Sequence, residues 1–410
     1  MFHYITMSKF KLISTTLSIL TAFIPATMQA NDDAAKLSVT PIGRIHVDGA
    51  IYIPDKNGFT DGAALSEIRA GVKATYGDWL ARIEIGYSYS KIGMKDVYIQ
   101  KFFTPGNSLR IGYFIPQFGI RGGGSASYKP ALIQQIPETF FRTTTRKIGV
   151  GYTHYDKNCY LSASAYTGGR SLLFTATQQG KLSVGISERA VWHPQIAPGH
   201  VLQLGFSSSF ETASHTRILG SDGDEVSSGG FRTFSANFPT TVSSVPLLNA
   251  EVQDAKADWK ISPELILSGG RMALEAQYYH LTATRKYKLP SYQANGAFGM
   301  LRFLVLGDSQ YTYSDSEGAL ALPSPKTLEL VGGYSYTDGN SHNRKYEEGS
   351  SEDSFSIRGG IASDYSLTAN YYINKYMIVR LRYSYTDVRE SPVAPRGSIN
   401  TIQARLQFVF

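Results

Sequence analysis

The feature that most constrains this chain is a two-residue alternation of apolar and polar side chains that recurs along it and runs to its last residue. In Ser398–Phe410, Ile402, Ala404, Leu406, Phe408 and Phe410 share one parity, and Thr401, Gln403, Arg405, Gln407 and Val409 share the other. Successive side chains of a strand point to opposite faces, so this pattern specifies a strand with one apolar and one wet face. Trp79–Tyr89 repeats it, with Trp79, Ala81, Ile83, Ile85, Tyr87 and Tyr89 opposite Arg82, Glu84 and Ser88. Met377–Thr386 repeats it again, with Met377, Val379, Leu381, Tyr383 and Tyr385 opposite Arg380, Arg382, Ser384 and Thr386. Shorter runs include Ile68/Ala70/Val72/Ala74/Tyr76, Leu202/Leu204/Phe206 and Tyr365/Leu367/Ala369/Tyr371. A soluble edge strand alternates in the same way. An arginine on the wet face and an aromatic as the final residue instead fit the strand that closes a transmembrane barrel.

Composition is compatible with that reading. The chain is 42% hydrophobic and 18% charged, an ordinary soluble balance. A barrel that alternates lipid-facing and lumen-facing residues averages to the same value. Past the first thirty residues there is no run of eighteen apolar residues, which excludes a helical membrane protein. Tight turns at Gly77-Asp78, Thr104–Asn107, Asp156–Asn158, Ser268–Gly270 and Asn374-Lys375 alternate with long polar stretches. Those stretches are Pro54–Ser66, Gly119–Arg146, Gly168–Gly180, Thr212–Asp254 and Asp338–Ser363. Short turns on one rim and long loops on the other are the habit of outer-membrane barrels, and tyrosine or tryptophan at strand ends suits their aromatic girdles. Tiling the chain gives about sixteen strands of about ten residues, enough for a tilted strand to cross a bilayer. The expected fold is all-β, a single antiparallel transmembrane barrel with no separate domain.

The N-terminus reads as a secretory signal. Lys9 and Lys11 precede an apolar stretch over Leu12–Pro25, a small-residue exit follows at Ala26–Ala30, and acids begin at Asp32. Residues 1–30 are therefore expected to be cleaved after Ala30, leaving 31–410 as the barrel. Cys159 is solitary, so no intramolecular disulfide and no cysteine-based metal site is expected; it reads as a small apolar strand residue. The eight histidines show no zincin-type spacing, and no Gly-x-Ser-x-Gly elbow occurs. No enzyme, cofactor, metal or nucleic-acid partner is expected. Gly122-Gly123-Gly124 lacks the Lys-Ser/Thr of a nucleotide loop and reads as a hinge. Asp222–Glu225 is half a calcium loop without its closing glutamate, and Glu347-Glu348 with Glu352-Asp353 is an acidic patch; both read as solvated loop.

Several stretches, taken in order, resemble the phosphate-selective porins of the O and P type, particularly their Bacteroidetes-like relatives. They are Lys95–Gln100, Pro105-Gly106 with Leu109–Phe114, Pro116–Gly119, Arg146–Tyr152, Leu328–Val331, Asp364–Asn374 and Gln403–Gln407. The resemblance implies a sixteen-stranded, usually trimeric channel in the bacterial outer membrane, with the third external loop folded into the pore. It also implies phosphate selectivity from basic residues in that loop and an arginine ladder on the wall. The loop Gly119–Arg146 offers Arg121, Lys129, Arg142 and Arg146 against Glu138. Only Arg146 falls on a matched motif. The family's Glu-Arg-Ser run is absent, and Gln134–Thr139 stands in its place.

Parity sorts the strand charges by face. Arg44, Arg69, Lys73, Arg82, Arg110, Arg380, Arg382 and Arg405 fall on the wet side, with Asp48, Glu67, Glu84, Glu275 and Glu329. Arginines in a narrow pore raise the local anion concentration and grip phosphate or carboxylate through paired N–H groups. The expected anion contacts are Arg121, Lys129, Arg142 and Arg146 at the constriction and Arg82, Arg110, Arg380, Arg382 and Arg405 on the wall. Against this, Glu67/Arg69 and Arg82/Glu84 sit two apart on one face and equally suit pairs that brace the wall. The loop cations suit the phosphates of lipopolysaccharide as well. The expectation is thus passive diffusion of small hydrophilic solutes with a preference for anions such as phosphate. General or oligosaccharide-type diffusion without selectivity and a surface adhesin or structural barrel using Thr212–Asp254 are the alternatives. Most tyrosines fall on the lipid-facing parity, which argues against a sugar slide.

Overall fold

The computed structural model describes residues 36–54, 58–88, 91–124, 126–142, 146–167, 178–181, 183–213, 215–219, 225–341 and 356–410. Residues 1–30, Asp222–Asp224, Glu347-Glu348 and Glu352-Asp353 lie outside them. The alternating segments form sixteen long strands. In chain order they are β1 (Ser38–Pro54), β2 (Gly62–Tyr76), β3 (Trp79–Ser88), β4 (Lys91–Thr104), β5 (Asn107–Phe114), β6 (Lys147–Tyr155), β7 (Cys159–Thr167) and β8 (Val184–Trp192). There follow β9 (His200–Thr212), β10 (Ala255–Gly269), β11 (Met272–Arg285), β12 (Tyr292–Leu306), β13 (Thr327–Asn340), β14 (Arg358–Tyr372), β15 (Met377–Glu390) and β16 (Gly397–Val409). Each pairs antiparallel with the next, and β16 returns to β1 from Arg44↔Val409 to Pro54↔Ile399. The sheet is closed, so no edge is left to pair with another chain.

The terminal phenylalanine completes the closure. Phe410 N donates to Gly43 O at 3.0 Å and Gly43 N to Phe410 O at 2.9 Å. A Cβ on Gly43 would stand 2.6 Å from the Phe410 ring, so the last side chain lies where only glycine leaves room for it.

The alternation separates two environments. Along β15, Val379, Leu381, Tyr383 and Tyr385 are exposed while Arg380, Arg382, Ser384 and Thr386 are buried. Leu301 is 63% exposed and its neighbour Arg302 is 2% exposed. This inversion of ordinary burial is the mark of a wall with lipid outside and a polar, packed lumen inside. Tyr76, Trp79, Trp192, Tyr376 and Phe408 form an exposed aromatic rim at the tight-turn end. Among the described residues, no helix is long and apolar enough to cross a membrane.

One connection breaks the expected rule of short turns at that end. Residues 307–326, between β12 and β13, run back inward and carry a two-residue hairpin, Tyr313-Ser314 with Ala319-Leu320. Tyr311, Ala319 and Leu320 are buried against Ile120, Ile266 and Leu304. At the loop end, the hairpin Arg232–Asn237 with Pro246–Val252 folds over the barrel mouth. There Phe234, Leu247, Leu248 and Ala250 join Phe140 and Phe141 in one apolar cluster. The lumen is thus filled unevenly, from both ends.

Candidate functional site

The segment between β5 and β6 lines the inner face of the wall. Gly119 N donates to Ser207 Oγ at 2.9 Å and Ile120 N to Gln277 Oε1 at 3.3 Å. Further along, Ser127 O and Lys129 O accept from the buried Arg380 guanidinium at 2.7 and 2.8 Å. Gly119 has φ +80°, and a Cβ there would meet the Gln277 amide at 2.2 Å, so the segment enters on a residue that must be glycine. Gln134–Thr139, which stands where the Glu-Arg-Ser run is expected, contributes to a short helix, α1 (Ile136–Phe140). Its Glu138 accepts from Gln135 N at 2.8 Å and from Lys129 Nζ at 3.1 Å. Phe141 stacks on Tyr279 with centroids 5.5 Å apart, which seats the helix on the wall of β11.

Between this segment and strands β1–β7 lies a cavity of about 590 Å³. Its charged lining is Arg44, Arg69, Arg82, Arg110, Arg121, Lys129, Arg142 and Arg146 against Asp96, Glu138 and Glu317. The four loop residues expected at the constriction all reach it, as do Arg82 and Arg110 of the wall. Most of these cations already have partners. Arg146 Nε is 2.6 Å from Asp96 Oδ1, and Arg121 Nη2 is 3.1 Å from Glu275 Oε1. Arg82 Nη2 lies 3.1 Å from Glu84, Arg44 Nη1 3.4 Å from Glu67, and Arg69 pairs closely with Glu67. The bracing pairs anticipated from the two-residue spacing are therefore present, inside the cavity wall. Arg110 differs: its Nε and Nη2 donate to the neutral Gln100 Oε1 at 3.1 and 3.0 Å, and its guanidinium sits 4.2 Å from the Tyr98 ring centroid. Tyr98, Tyr128, Tyr155, Tyr160 and Tyr279 also reach the cavity, a lumenal set that counting parities overlooks.

Arg380, Arg382 and Arg405 do not line this cavity. The expectation that they form an anion wall gives way to another role. Arg380 holds the β5–β6 segment, as above. Arg382 donates to Pro239 O at 3.0 Å and Asp364 Oδ2 at 2.6 Å. Arg405 grips Asp48 through two bonds of 2.7 and 2.9 Å and reaches Thr241 at 3.3 Å. The physical reason is that inward loops cover them, so each buried guanidinium needs acceptors, which are the carboxylates of neighbouring strands, Asp364 and Asp48, and the carbonyls and hydroxyl of the loops.

Two buried networks of the same kind were not foreseen. Arg189 donates to Glu264 at 2.7 Å and to the carbonyls of Glu317 and Gly318 at 3.1 and 2.6 Å, fastening residues 307–326. Arg302 pairs with Glu275 and Glu329, and Glu329 also accepts from Tyr311, Asn370 and Tyr372. Burial raises the Tyr311 and Tyr313 hydroxyls well above their ordinary value, so both serve as donors. Parity places Arg189 and Arg302 inward; nothing local in the sequence marks what they hold.

A profile of the family described as phosphate-selective porin O and P matches residues 67–410. No curated protein sequence matches the chain. Among solved structures, a loop-deletion form of the outer-membrane protein OmpT of Vibrio cholerae aligns with TM-score 0.57 at 11% identity, covering 91% of this chain and 99% of that one. The anion-selective porin from Comamonas acidovorans aligns with TM-score 0.54 at 11% identity, covering 92% and 100%. The outer-membrane channel DcaP of Acinetobacter baumannii aligns with TM-score 0.51 at 10% identity, covering 94% and 100%. At these identities the likeness is one of fold.

Proposed function

This chain belongs to the phosphate-selective porin O and P family and is a porin of the bacterial outer membrane; from that premise we propose that its cavity is a passive path for small hydrophilic anions, with phosphate the leading solute. The observation that carries the reading is the lining, eight basic side chains against three acidic ones around about 590 Å³. Arg110, backed by a neutral amide and an aromatic face, is the contact with most charge to offer a passing anion. Arg82, Arg121, Lys129, Arg142 and Arg146 surround it and hold anions weakly at several points, so that they still leave. No step is chemical. The name of the Comamonas neighbour agrees with anion preference, and the trimer form of the Vibrio OmpT agrees with a homotrimer here. Residues 1–30 are proposed to be the cleaved signal, and lipopolysaccharide to be the neighbour of the outer loops.

A second reading has its own support. The pairs Arg121–Glu275, Lys129–Glu138 and Arg146–Asp96 neutralise much of the loop charge, as an unselective porin would tolerate. The two separate in a planar bilayer, by the zero-current potential across a potassium chloride gradient with phosphate then titrated in. Anion selectivity with phosphate blocking chloride current supports the first reading. Conductance with no anion preference leaves the second, and no conductance at all overturns both.

A further inference from the structure

At the tight-turn rim, on the outward face of the β6–β7 hairpin, His154, Asp156 and Cys159 bring one imidazole nitrogen, one carboxylate oxygen and one sulfur within 4.8 Å of one another. The hairpin fixes two of the three. Asp156 Oδ1 accepts from the backbone N–H of Asn158 at 2.7 Å and of Cys159 at 2.8 Å, which leaves Oδ2 facing the histidine.

The neighbouring strand sets the histidine. Asn107 Oδ1 accepts from Tyr152 OH at 2.8 Å and lies 2.8 Å from His154 Nδ1. In this amide orientation the oxygen is an acceptor twice over, so Nδ1 carries the ring proton. Nε2 then presents a lone pair towards Asp156 Oδ2, 3.8 Å away. On a neutral ring that leaves two acceptors facing each other, too far apart for a hydrogen bond, an arrangement that a cation between them relieves. A second-sphere carbonyl fixing the tautomer of a ligating histidine is the usual support of a metal site.

The geometry points to a divalent metal site at His154 Nε2, Asp156 Oδ2 and Cys159 Sγ, with zinc as the fitting ion. Imidazole and thiolate suit zinc, and three protein ligands leave a fourth position for water. One thiolate and one carboxylate balance the two positive charges. As the sulfur–metal bond forms, the thiol proton passes to solvent. Tetrahedral zinc sets its ligands about 3.5 Å apart, so side-chain rotations of about an ångström close the site. The spacing His-x-Asp-x-x-Cys matches no familiar motif, and reading the sequence alone sets Cys159 aside. Only the hairpin places it beside His154. This site stands independently of the channel reading.

The test uses tag-free, folded protein in detergent, with its thiol reduced and cobalt(II) as the probe. One cobalt per chain is expected, with a thiolate-to-cobalt charge-transfer band that zinc abolishes. Cys159→Ser is expected to remove the band and His154→Gln to weaken zinc binding at least tenfold. Asn107→Leu, which touches no ligand atom, is expected to weaken it tenfold or more at unchanged stoichiometry. Heat-modifiable gel mobility confirms that each variant is a folded barrel. No charge-transfer band in the parent, or zinc affinity equal in parent and C159S, overturns the assignment.

Discussion

Two sectors of the same wall use arginine on the same parity for opposite ends. In β2, β3 and β5, Arg69, Arg82 and Arg110 border open space. In β8, β12, β15 and β16, Arg189, Arg302, Arg380, Arg382 and Arg405 are buried, and what they hold is other protein. The difference is what packs against them. On the second side the β5–β6 segment, the hairpin after β9 and residues 307–326 fill the lumen, and every guanidinium there donates to a carboxylate or a loop carbonyl. The wall pattern makes a residue inward-facing; the loop that covers it makes it structural. Where no loop arrives, the same residue type becomes pore lining.

The comparison breaks most visibly on the filled side. Glu329→Gln removes the charge that Arg302 shares and weakens the bonds from Tyr311, Asn370 and Tyr372, and it is expected to cost about 3 kcal/mol in urea unfolding from lipid vesicles. A loss under about 0.5 kcal/mol would contradict a structural role for this sector. Arg380→Met comes next. It takes the guanidinium away from the carbonyls of Lys129 and Ser127, the latter keeping its bond from Gln407 Nε2, with an expected cost of about 2 kcal/mol. Single-channel current should also become larger and noisier as the β5–β6 segment loosens; unchanged current would mean that something else fixes it.

On the open side the order of effects reverses. Arg110→Ala is expected to change stability by less than about 1 kcal/mol, since the Gln100 Oε1 it vacates borders the open cavity and accepts from water instead. Its reversal potential should move towards zero, and an unmoved potential would remove Arg110 from the anion path. The smallest effect concerns pH. His193, in the connection between β8 and β9, packs at a tilt against Tyr313 of residues 307–326, with ring centroids 4.3 Å apart. Burial lowers its pKa, partly offset by Asp315 and Asp156. The unfolded chain therefore binds the extra proton first, so this contact's stabilisation is present above the ordinary histidine value of about 6.5 and fades as pH falls through it. Conductance noise should rise from pH 7.5 to 5.5 in the parent and stay flat in His193→Phe, which keeps a ring against Tyr313. Equal pH dependence in both would show that the seat does not involve His193.

Part of the cavity lining is legible in the residues: the loop cations Arg121, Lys129, Arg142 and Arg146 line it, and so do Arg82 and Arg110 of the wall; their contact with anions belongs to the proposed function. What parity could not separate was Arg110 from Arg380, which obey the same rule. Nor could it foresee residues 307–326, because a long connection at the tight-turn end has no alternation to announce where it lies. Glu264 and Arg189 go unread, and Glu329 reads only as an inward charge, for a related reason: the partners of all three lie in other strands and loops.

The barrel follows from the alternation alone. A period of two is a local property of extended backbone, so strand direction, inward and outward faces, and closure by Phe410 could all be read from neighbouring residues. Which inward charges are free to meet a solute is settled by contacts between residues far apart in the chain. Asp48 and Arg405 lie at opposite ends of the chain and join only when β1 meets β16. Whether a buried guanidinium faces protein or open lumen depends on such distant encounters, because its partner is fixed by the closed sheet and the loops within it, and not by its neighbours in the chain.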